Sequence, residues 1–427
     1  MLTRRSRLRL LTTSLLTVGL LTPASLAAAT TATTTTATTH PAEQALGAKS
    51  DQVRSAQSWV LNMLNVPAAW SRSRGAGVTV AVIDSGVDPS VSDLTGQVTT
   101  GPDYTGVRTP SANADWGMHG TWMASLIAGH GHDGGADGII GVAPAAKILS
   151  IRVITDPGDP GYHRYQREPT PKVQQALGSA IRYAVSHGAG VISMSIGYGG
   201  PSLAVRSALQ YAYDHNVVVF ASAGNSGQSV KRGAHAPYSF PADYPGVLSV
   251  AALDSAGQTA SFSSDNLSVQ LAAPGVSVPA QGRDGAYWLV SGTSPACALT
   301  AGVAALIKSR YPALPAAEVS EALLSTTTSR PRGGYDDNVG FGTVDAAAAL
   351  DAAGRLGAHS AAEAGYSAAL HFGGGRAAVP ASPVGKRAPG LLVLFALLAF
   401  TCLVLAVVSI TSIVVLRRVR PKPVTPV

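Results

Sequence analysis

The most constraining feature of this sequence is the stretch Leu289–Arg310, which reads LVSGTSPACALTAGVAALIKSR. A short apolar run ends at Val290, a small polar turn follows, and small or apolar residues from Ser294 onward predict a helix packed closely in a core. Pro295 suits the first turn of a helix, where its missing N–H is not needed. The stretch therefore predicts a serine near free backbone N–H groups, where an oxyanion would be stabilised. Taken alone, the pattern is more typical of a serine that only caps the helix.

Composition points to export and a membrane rather than to nucleic acid. Charged residues make up 13% of the chain and hydrophobic residues 46%. Soluble enzymes usually carry more charge, so membrane and low-complexity parts are expected to dilute the count. The net charge is +7, but the basic residues cluster near the two ends, which predicts targeting and topology. Cys402 lies in an apolar run and is not expected to pair with Cys297, which we interpret as a small buried hydrophobic residue.

Both ends of the chain have the composition of export and anchoring segments. Residues 1–29 combine a basic start, an apolar run and small residues, which predicts a secretory signal peptide, with an uncleaved anchor as the alternative. Residues 30–57 form a Thr/Ala-rich extension that is too short and polar to fold alone. The composition of residues 351–390 predicts an Ala/Gly/Pro-rich linker. Residues 391–416 carry no charge and predict one transmembrane helix, followed by a basic cytoplasmic tail at 417–427.

Between these ends, residues 58–350 alternate between strand and helix patterns. The β-branched run at 77–83 predicts a buried strand, and helices are predicted over 172–187 and 201–215. Such alternation predicts an α/β domain with a mostly parallel sheet flanked by helices. Residues 156–171 are polar and rich in proline, so they are expected to form a long surface loop.

Three residues with catalytic side chains stand at the ends of these predicted elements. Asp84 follows the buried strand and precedes Gly86, at a position where open α/β sheets place functional groups. His119 stands at a probable helix start, as Ser294 does. Each residue alone is more often structural than catalytic. Their order along the chain, Asp, His and Ser, is that of subtilisin among the unrelated folds that carry such a triad.

Seven short motifs occur in the order in which the subtilisin-like serine proteases carry them. On these motifs the chain resembles that family over about residues 58–350. The motifs are Val80–Val87, His119–Thr121, Gly141–Pro144, Ser222–Asn225, Ala260–Ser264, Ala273–Gly275 and Gly292–Ser294. The resemblance implies a three-layer subtilisin-like fold and a serine endopeptidase. The chain departs from the family pattern at Pro295, and at Trp122, where a second histidine is usual.

The resemblance also implies a role for each catalytic residue. Ser294 would be the nucleophile, His119 the general base, and Asp84 the carboxylate that fixes the histidine tautomer. The side-chain amide of Asn225 and the backbone N–H of Ser294 would hold the oxyanion. No metal-ligand spacing or phosphate loop stands out, so no cofactor is predicted; a structural calcium ion rests on family analogy alone.

The same resemblance implies two groups of substrate-binding residues. One group would pair with the substrate backbone in the manner of an added strand. The other would line the pocket for the residue before the cleaved bond, and its small side chains imply an open pocket. The two groups are Ser195, Ile196 and Gly197, and Ser222, Ala223 and Gly224.

The order of segments resembles the mycosins, membrane-anchored subtilases associated with type VII secretion. This implies protein or peptide substrates, a single membrane span with the catalytic domain outside the cytoplasm, and an association with a secretion complex. Mycosins often carry disulfides, which this chain lacks. The main alternative is a structural subunit that uses the protease fold as a docking module. An α/β-hydrolase esterase is disfavoured because Ser294 lies in Gly-Thr-Ser-Pro-Ala rather than G-x-S-x-G.

Overall fold

The computed structural model describes residues 43–46, 50–229, 234–362 and 389–419. The chain divides into two compact units, which meet in sequence between Ala361 and Ala362. The strands are β1 (Gln44–Ala45), β2 (Thr79–Asp84), β3 (Val98–Asp103), β4 (His130–His132), β5 (Asp137–Ile140), β6 (Lys147–Arg152), β7 (Ala189–Met194), β8 (Val218–Ser222), β9 (Leu248–Leu253), β10 (Val269–Pro274), β11 (Val278–Gln281) and β12 (Tyr287–Val290). The helices are α1 (Ser50–Met63), α2 (Val66–Ala69), α3 (Met118–Ala128), α4 (Tyr162–Tyr165), α5 (Thr170–Ser186), α6 (Leu203–Asp214), α7 (Thr293–Arg310), α8 (Ala316–Ser325), α9 (Ala346–Ala362) and α10 (Pro389–Val419).

The first unit is built on a seven-stranded sheet with the order β10-β9-β8-β7-β2-β6-β3. Every neighbouring pair in this sheet is parallel. Of these seven strands β2 comes first in the chain, and later strands were added on both sides of it: β6 and β3 on one side, and β7 to β10 on the other. The carboxyl end of such a strand is where open α/β sheets form a binding crevice. Asp84 is the last residue of β2.

Alternate residues of β2 face two different helical layers. Val80 and Val82 belong to the core that includes apolar residues of α3 and α7, whereas Ala81 and Ile83 belong to the core that includes those of α5 and α6. A strand whose two faces are both buried reads as a continuous apolar run, as this one does. The predicted α/β fold with a mostly parallel sheet flanked by helices is confirmed.

Helix α7 runs through the larger of the two cores. Its side chains are buried from Thr293 to Lys308, which explains why the sequence has no polar face there. Small residues permit close contact: a Cβ at Gly302 would lie 2.7 Å from the Cβ of Val142. The helix therefore places Ser294 at its start, at the carboxyl edge of the sheet.

The N-terminal part of the domain begins earlier than residue 58. Helix α1 starts at Ser50, and Gln57 is fully buried, where its amide exchanges hydrogen bonds with the backbone of Ile140. Upstream, β1 pairs with β12 in a three-stranded sheet with the order β1-β12-β11. These contacts join side chains to backbone groups far along the chain, so composition alone does not reveal them.

The segment 156–171 lies mostly at the surface, as predicted, but it is not entirely a loop. It contains α4 and the start of α5, and both Asp156 and Asp159 are buried. An ion pair with Arg152 at 2.5 Å compensates the charge of the buried Asp159. At the other end of the domain, α9 continues to Ala362, into the range predicted to be a linker.

Several predicted segments lie outside the described residues. These are the signal peptide 1–29, most of the extension 30–57, residues 363–388 of the linker and residues 420–427 of the tail. Across the described residues, no helix combines the length and the apolar character that a membrane crossing requires. The predicted span 391–416 includes side chains at 391–393, 395–396 and 413–416 that are not described.

Candidate active site

A buried carboxylate–imidazole pair lies at the carboxyl end of β2. His119 Nδ1 and Asp84 Oδ1 are 2.7 Å apart, with Asp84 1% and His119 6% exposed. The same carboxylate oxygen accepts the backbone N–H of Ser85 at 2.7 Å. These two contacts orient the carboxylate toward the ring, so Nδ1 carries the proton and Nε2 is left to act as a base.

The backbone of His119 is held by a second carboxylate. Oδ2 of Asp156 accepts the N–H of Met118 at 2.8 Å, and Oδ1 accepts the N–H of His119 at 3.3 Å. Because Gly117 at the N-cap has no side chain, Asp156 takes the place of the missing cap from a distant segment. Oγ of Ser85 accepts the next N–H, that of Gly120, at 3.0 Å.

The charges around His119 favour its protonated form. Burial alone lowers the pKa of His119, but Asp84 raises it, with further contributions from Asp156 and Glu43, so that the pKa stands at about 9. Burial raises the pKa of Asp156 to about 6, although His119 acts in the opposite direction. An imidazolium that forms at this position is therefore stabilised, and His119 can act as a base once it has lost this proton.

Ser294 is the second residue of α7 and is 5% exposed. Before it, Gly292 has a φ of 151°, which favours glycine at this turn. Asn225 Oδ1 accepts hydrogen bonds from the backbone N–H and the hydroxyl of Thr293, both at 3.0 Å. Because Oδ1 of Asn225 is bound to Thr293, Nδ2 is the atom of this amide that can donate a hydrogen bond to a substrate oxygen. A Cβ at Gly292 would lie 3.4 Å from Nδ2, so this donor lies beside the turn that precedes Ser294.

The residues predicted to bind the substrate backbone follow β7. The hydroxyl of Ser195 donates to the carbonyl oxygen of Ser294 at 3.2 Å, which ties this segment to the start of α7. Ile196 is buried and Gly197 is exposed. Tyr198 then exchanges two backbone hydrogen bonds with Phe240, at 2.8 and 2.9 Å. The Phe240–Pro241 bond is cis.

The residues predicted to line the pocket lie at the end of β8 and directly after it. Ser222 and Ala223 are buried, and Gly224 has a φ of 102°, which favours glycine. The structure adds Ser239, which the sequence analysis did not identify. A Cβ at Gly197 would collide with the hydroxyl of Ser239, and one at Gly224 would lie 3.7 Å from its Cβ. Ser239 therefore lies between the two predicted groups of substrate-binding residues.

Trp122, at the position of the usual second histidine, packs beside His119. The two ring centroids are 6.2 Å apart at an interplanar angle of 72°, and Trp122 also packs against Trp288 of β12. Strand β1 pairs with that same strand, with Ala45 opposite Trp288. The N-terminal segment 43–46 therefore lies beside the strand that leads to Ser294.

Among the described residues, three side chains near β4 and β5 form a group with the spacing of metal ligands. Ligand atoms of His132, Asp133 and Asp137 lie within 4.8 Å of one another. His132 Nδ1 is 2.7 Å from the carboxylate of the buried Asp93. However, Asp133 is 75% exposed, and the guanidinium of Arg54 donates to the carbonyl oxygens of this loop, including that of Asp137 at 3.1 Å. Arg54 supplies a competing positive charge, so we assign no metal to this loop.

The structure brings the predicted catalytic residues to one edge of the sheet, from four separate elements. Asp84 comes from β2, His119 from α3, Ser294 from α7, and Asn225 from the turn after β8. Sequence reasoning missed Asp156, because the polar, proline-rich composition around it predicts solvent exposure. The available signal was the glycine at position 117, a helix start without a cap of its own.

Comparison with known proteins gives consistent results. The model of the subtilase family matches residues 75–342. Subtilisin DY of Bacillus licheniformis is 37% identical over 256 residues, which cover 60% of this chain and 85% of that protein. Mycosin-3 of Mycobacterium tuberculosis is 36% identical over 339 residues, which cover 67% of this chain and 70% of that protein. The solved structure of MycP3, a protease from the type VII (ESX-3) secretion system, matches with a TM-score of 0.59 and 31% identity, over 73% of this chain and 92% of that one.

Proposed function

Because this chain belongs to the subtilase family of serine peptidases, we propose that Asp84, His119 and Ser294 form its catalytic triad. The observation that carries the proposal is the buried 2.7 Å contact between His119 Nδ1 and Asp84 Oδ1. It leaves Nε2 as the base, in a domain that also places Ser294 at the start of a buried helix. The reaction is hydrolysis of a peptide bond within a protein or peptide substrate.

Catalysis proceeds by transfer of the acyl group to the serine. His119 removes the proton of Ser294 Oγ as that oxygen attacks the scissile carbonyl, and it later protonates the leaving amine. Asp84 holds the imidazole in the required tautomer and stabilises the imidazolium. The carbonyl oxygen, which becomes negative, is held by the Ser294 N–H and by Asn225 Nδ2. Water then attacks the acyl-enzyme and releases the second product.

The substrate is held in an extended conformation. Its backbone pairs with Ser195–Gly197, and the side chain before the cleaved bond enters the pocket lined by Ser222–Gly224. Small residues line this pocket, and Ser239 lies beside Gly224. Comparing the new protein N-termini in cells that carry the wild type and Ser294→Ala tests this function. Cleavage products that depend on Ser294 support it, and identical sets of N-termini contradict it.

We further propose that residues 391–416 anchor the protease in the membrane, with residues 30–390 outside the cytoplasm. The charge-free apolar run, the signal pattern at 1–29 and the basic residues of 417–427 support this topology. So does the exposure of Phe400, which is 64% exposed on α10.

Thiol labelling in intact cells tests the topology. Cysteines are placed singly at Pro380 and Thr425 in a background in which Cys402 is replaced by serine. A membrane-impermeant reagent should label the Pro380 site and not the Thr425 site. Labelling of Thr425 alone would reverse the orientation, and a protein that stays soluble after lysis with an intact C-terminus would exclude the anchor.

The relation to mycosin-3 and to the ESX-3 protease MycP3 supports a role beside a type VII secretion system. The competing function is that of a structural subunit, which would support the secretion system by docking to its other components rather than by cleaving a substrate. Co-purification and secretion assays with Ser294→Ala separate the two. A docking subunit keeps its membrane partners and supports secretion without the serine hydroxyl. If the protein is a processing protease, the Ser294→Ala variant leaves the substrate uncleaved.

A further inference from the structure

Asp156 is a buried carboxylate beside the proposed triad that no step above uses. It lies four residues after the end of β6, is 7% exposed, and accepts the N–H groups of Met118 and His119 at 2.8 and 3.3 Å. These are the first two N–H groups of α3, which carries the histidine. Because Gly117 has no side chain that could cap the helix, this end of α3 depends on a carboxylate from another segment.

A buried carboxylate is unfavourable unless nearby groups compensate its charge. The compensation here comes from the helix N-terminus, from the hydroxyl of Ser85 and from the imidazole of His119. Three carboxylates raise the pKa of His119 against the effect of burial: Asp84 from β2, Asp156 from the segment after β6, and Glu43 from the segment before β1. Asp156 both accepts the backbone N–H of His119 and adds a negative charge that raises the pKa of its ring.

We propose that Asp156 is a second positioning carboxylate for His119, which fixes the backbone of the histidine at the start of α3 and stabilises its imidazolium through space. The inference rests on the proposed triad, since it assigns Asp156 a part in activating the same base. It distinguishes Asp156 from an ordinary helix cap, because a cap needs only an acceptor atom, whereas the second part of the role needs the negative charge.

Two substitutions separate the acceptor from the charge. Asp156→Asn keeps one of the two acceptor oxygens and removes the charge, whereas Asp156→Ala removes both oxygens and the charge. Asp115→Asn is the matched control, because Asp115 is an exposed carboxylate four residues before His119. A merely structural role predicts that Asp156→Asn lowers the stability or the plateau rate but leaves the pH limb where the wild type has it.

The assay is the second-order rate of labelling of the full-length protein by a fluorophosphonate probe, measured against pH. This probe reports activation of the serine without knowledge of the natural substrate. In the wild type the rate should rise with pH along a limb near pH 9, as His119 loses its proton. Asp156→Asn should move this limb to lower pH by about one unit, a typical effect of a nearby charge. Asp115→Asn should leave it in place.

The proposal has separate points of failure. A limb that does not move in folded Asp156→Asn overturns it, and so does a limb that stays at the wild-type pH in Asp156→Ala. Asp156→Ala should move the limb equally and also lower the plateau rate, because it loses the cap. Labelling of Ser294→Ala at the wild-type rate would instead contradict the proposed triad, so the two failures are distinguishable.

Discussion

Asp84→Asn changes one group of the site and removes one negative charge. Oδ1 of Asp84 accepts N–H groups from Ser85 and His119, both at 2.7 Å, and an asparagine oxygen can accept both as well. The new NH₂ group would occupy the place of Oδ2, which is buried and has no hydrogen-bond partner in the described part of the chain. The variant therefore keeps the shape of the pair but adds an unsatisfied donor and loses the charge.

The size of the effect follows from the charges around the base. The pKa of His119 stands at about 9 instead of 6.5, with Asp84 the leading cause that raises it against the effect of burial. That difference corresponds to roughly 3 kcal/mol of imidazolium stabilisation. Loss of this stabilisation alone lowers kcat/KM by roughly 10²-fold, and an incorrect tautomer extends the loss toward about 10⁴-fold.

The sign of the pH dependence follows from the same shift. Because the pKa of His119 is raised on folding, the stability that its protonation contributes is fully present below pH 6.5 and is lost as the pH rises toward about 9. Asp84→Asn reduces the shift. The variant should therefore differ from the wild type in thermal stability more at pH 6 than above pH 9, and its residual activity should have an acid limb at lower pH.

Hydrolysis of a protein substrate such as casein and fluorophosphonate labelling are the two assays for Asp84→Asn. Asp214→Asn serves as the control, since Asp214 is an exposed carboxylate at the end of α6. The control should retain wild-type rates. Wild-type labelling and hydrolysis by a folded Asp84→Asn variant would refute the role assigned to Asp84.

Three further predictions concern the surroundings of the triad. Asn225→Ala should lower kcat by roughly 10²–10³-fold with little change in KM, the loss that removal of one such donor causes in subtilisin; an unchanged kcat would exclude it from the oxyanion hole. Gly282→Ala should destabilise the fold by about 1–3 kcal/mol in chemical denaturation, because its Cβ would lie 2.7 Å from the Trp122 ring nitrogen. The control is Gly190→Ala, which should be tolerated better because its Cβ would have no neighbour nearer than 3.8 Å. Deletion of residues 30–49 should not produce a large increase in labelling rate, because residues 43–46 add a strand beside the site; a large increase would show that the extension blocks the cleft.

Much of the fold could be predicted because the sequence pattern follows local rules. The run at 77–83 is apolar on both faces since β2 is buried on both, and helices begin next to His119 and Ser294 as their sequences predict. The observed α5 and α6 lie within two residues of their predicted bounds. The three residues proposed as the catalytic triad were identified from their order and motifs rather than from any single position.

The features that could not be predicted all depend on contacts between distant segments. Asp156 is buried because α3 presents uncapped N–H groups to it, and nothing in its own neighbourhood reveals that. Gln57 belongs to the core because Ile140 offers it two backbone groups. Ser239 lies beside Gly197 and Gly224 because the adjacent Phe240 pairs with Tyr198, a contact between distant segments. Local composition describes such residues as polar and exposed, and only the three-dimensional arrangement of their partners changes that description.

The central proposal is that Ser294 is the nucleophile activated by His119 and Asp84. Mass spectrometry of the full-length protein after reaction with a fluorophosphonate probe tests it directly. The probe should be found on Ser294 in the wild type, and the Ser294→Ala variant should remain unlabelled although it is folded. A label on another residue of the wild type, or labelling of Ser294→Ala at the wild-type rate, would contradict the proposal.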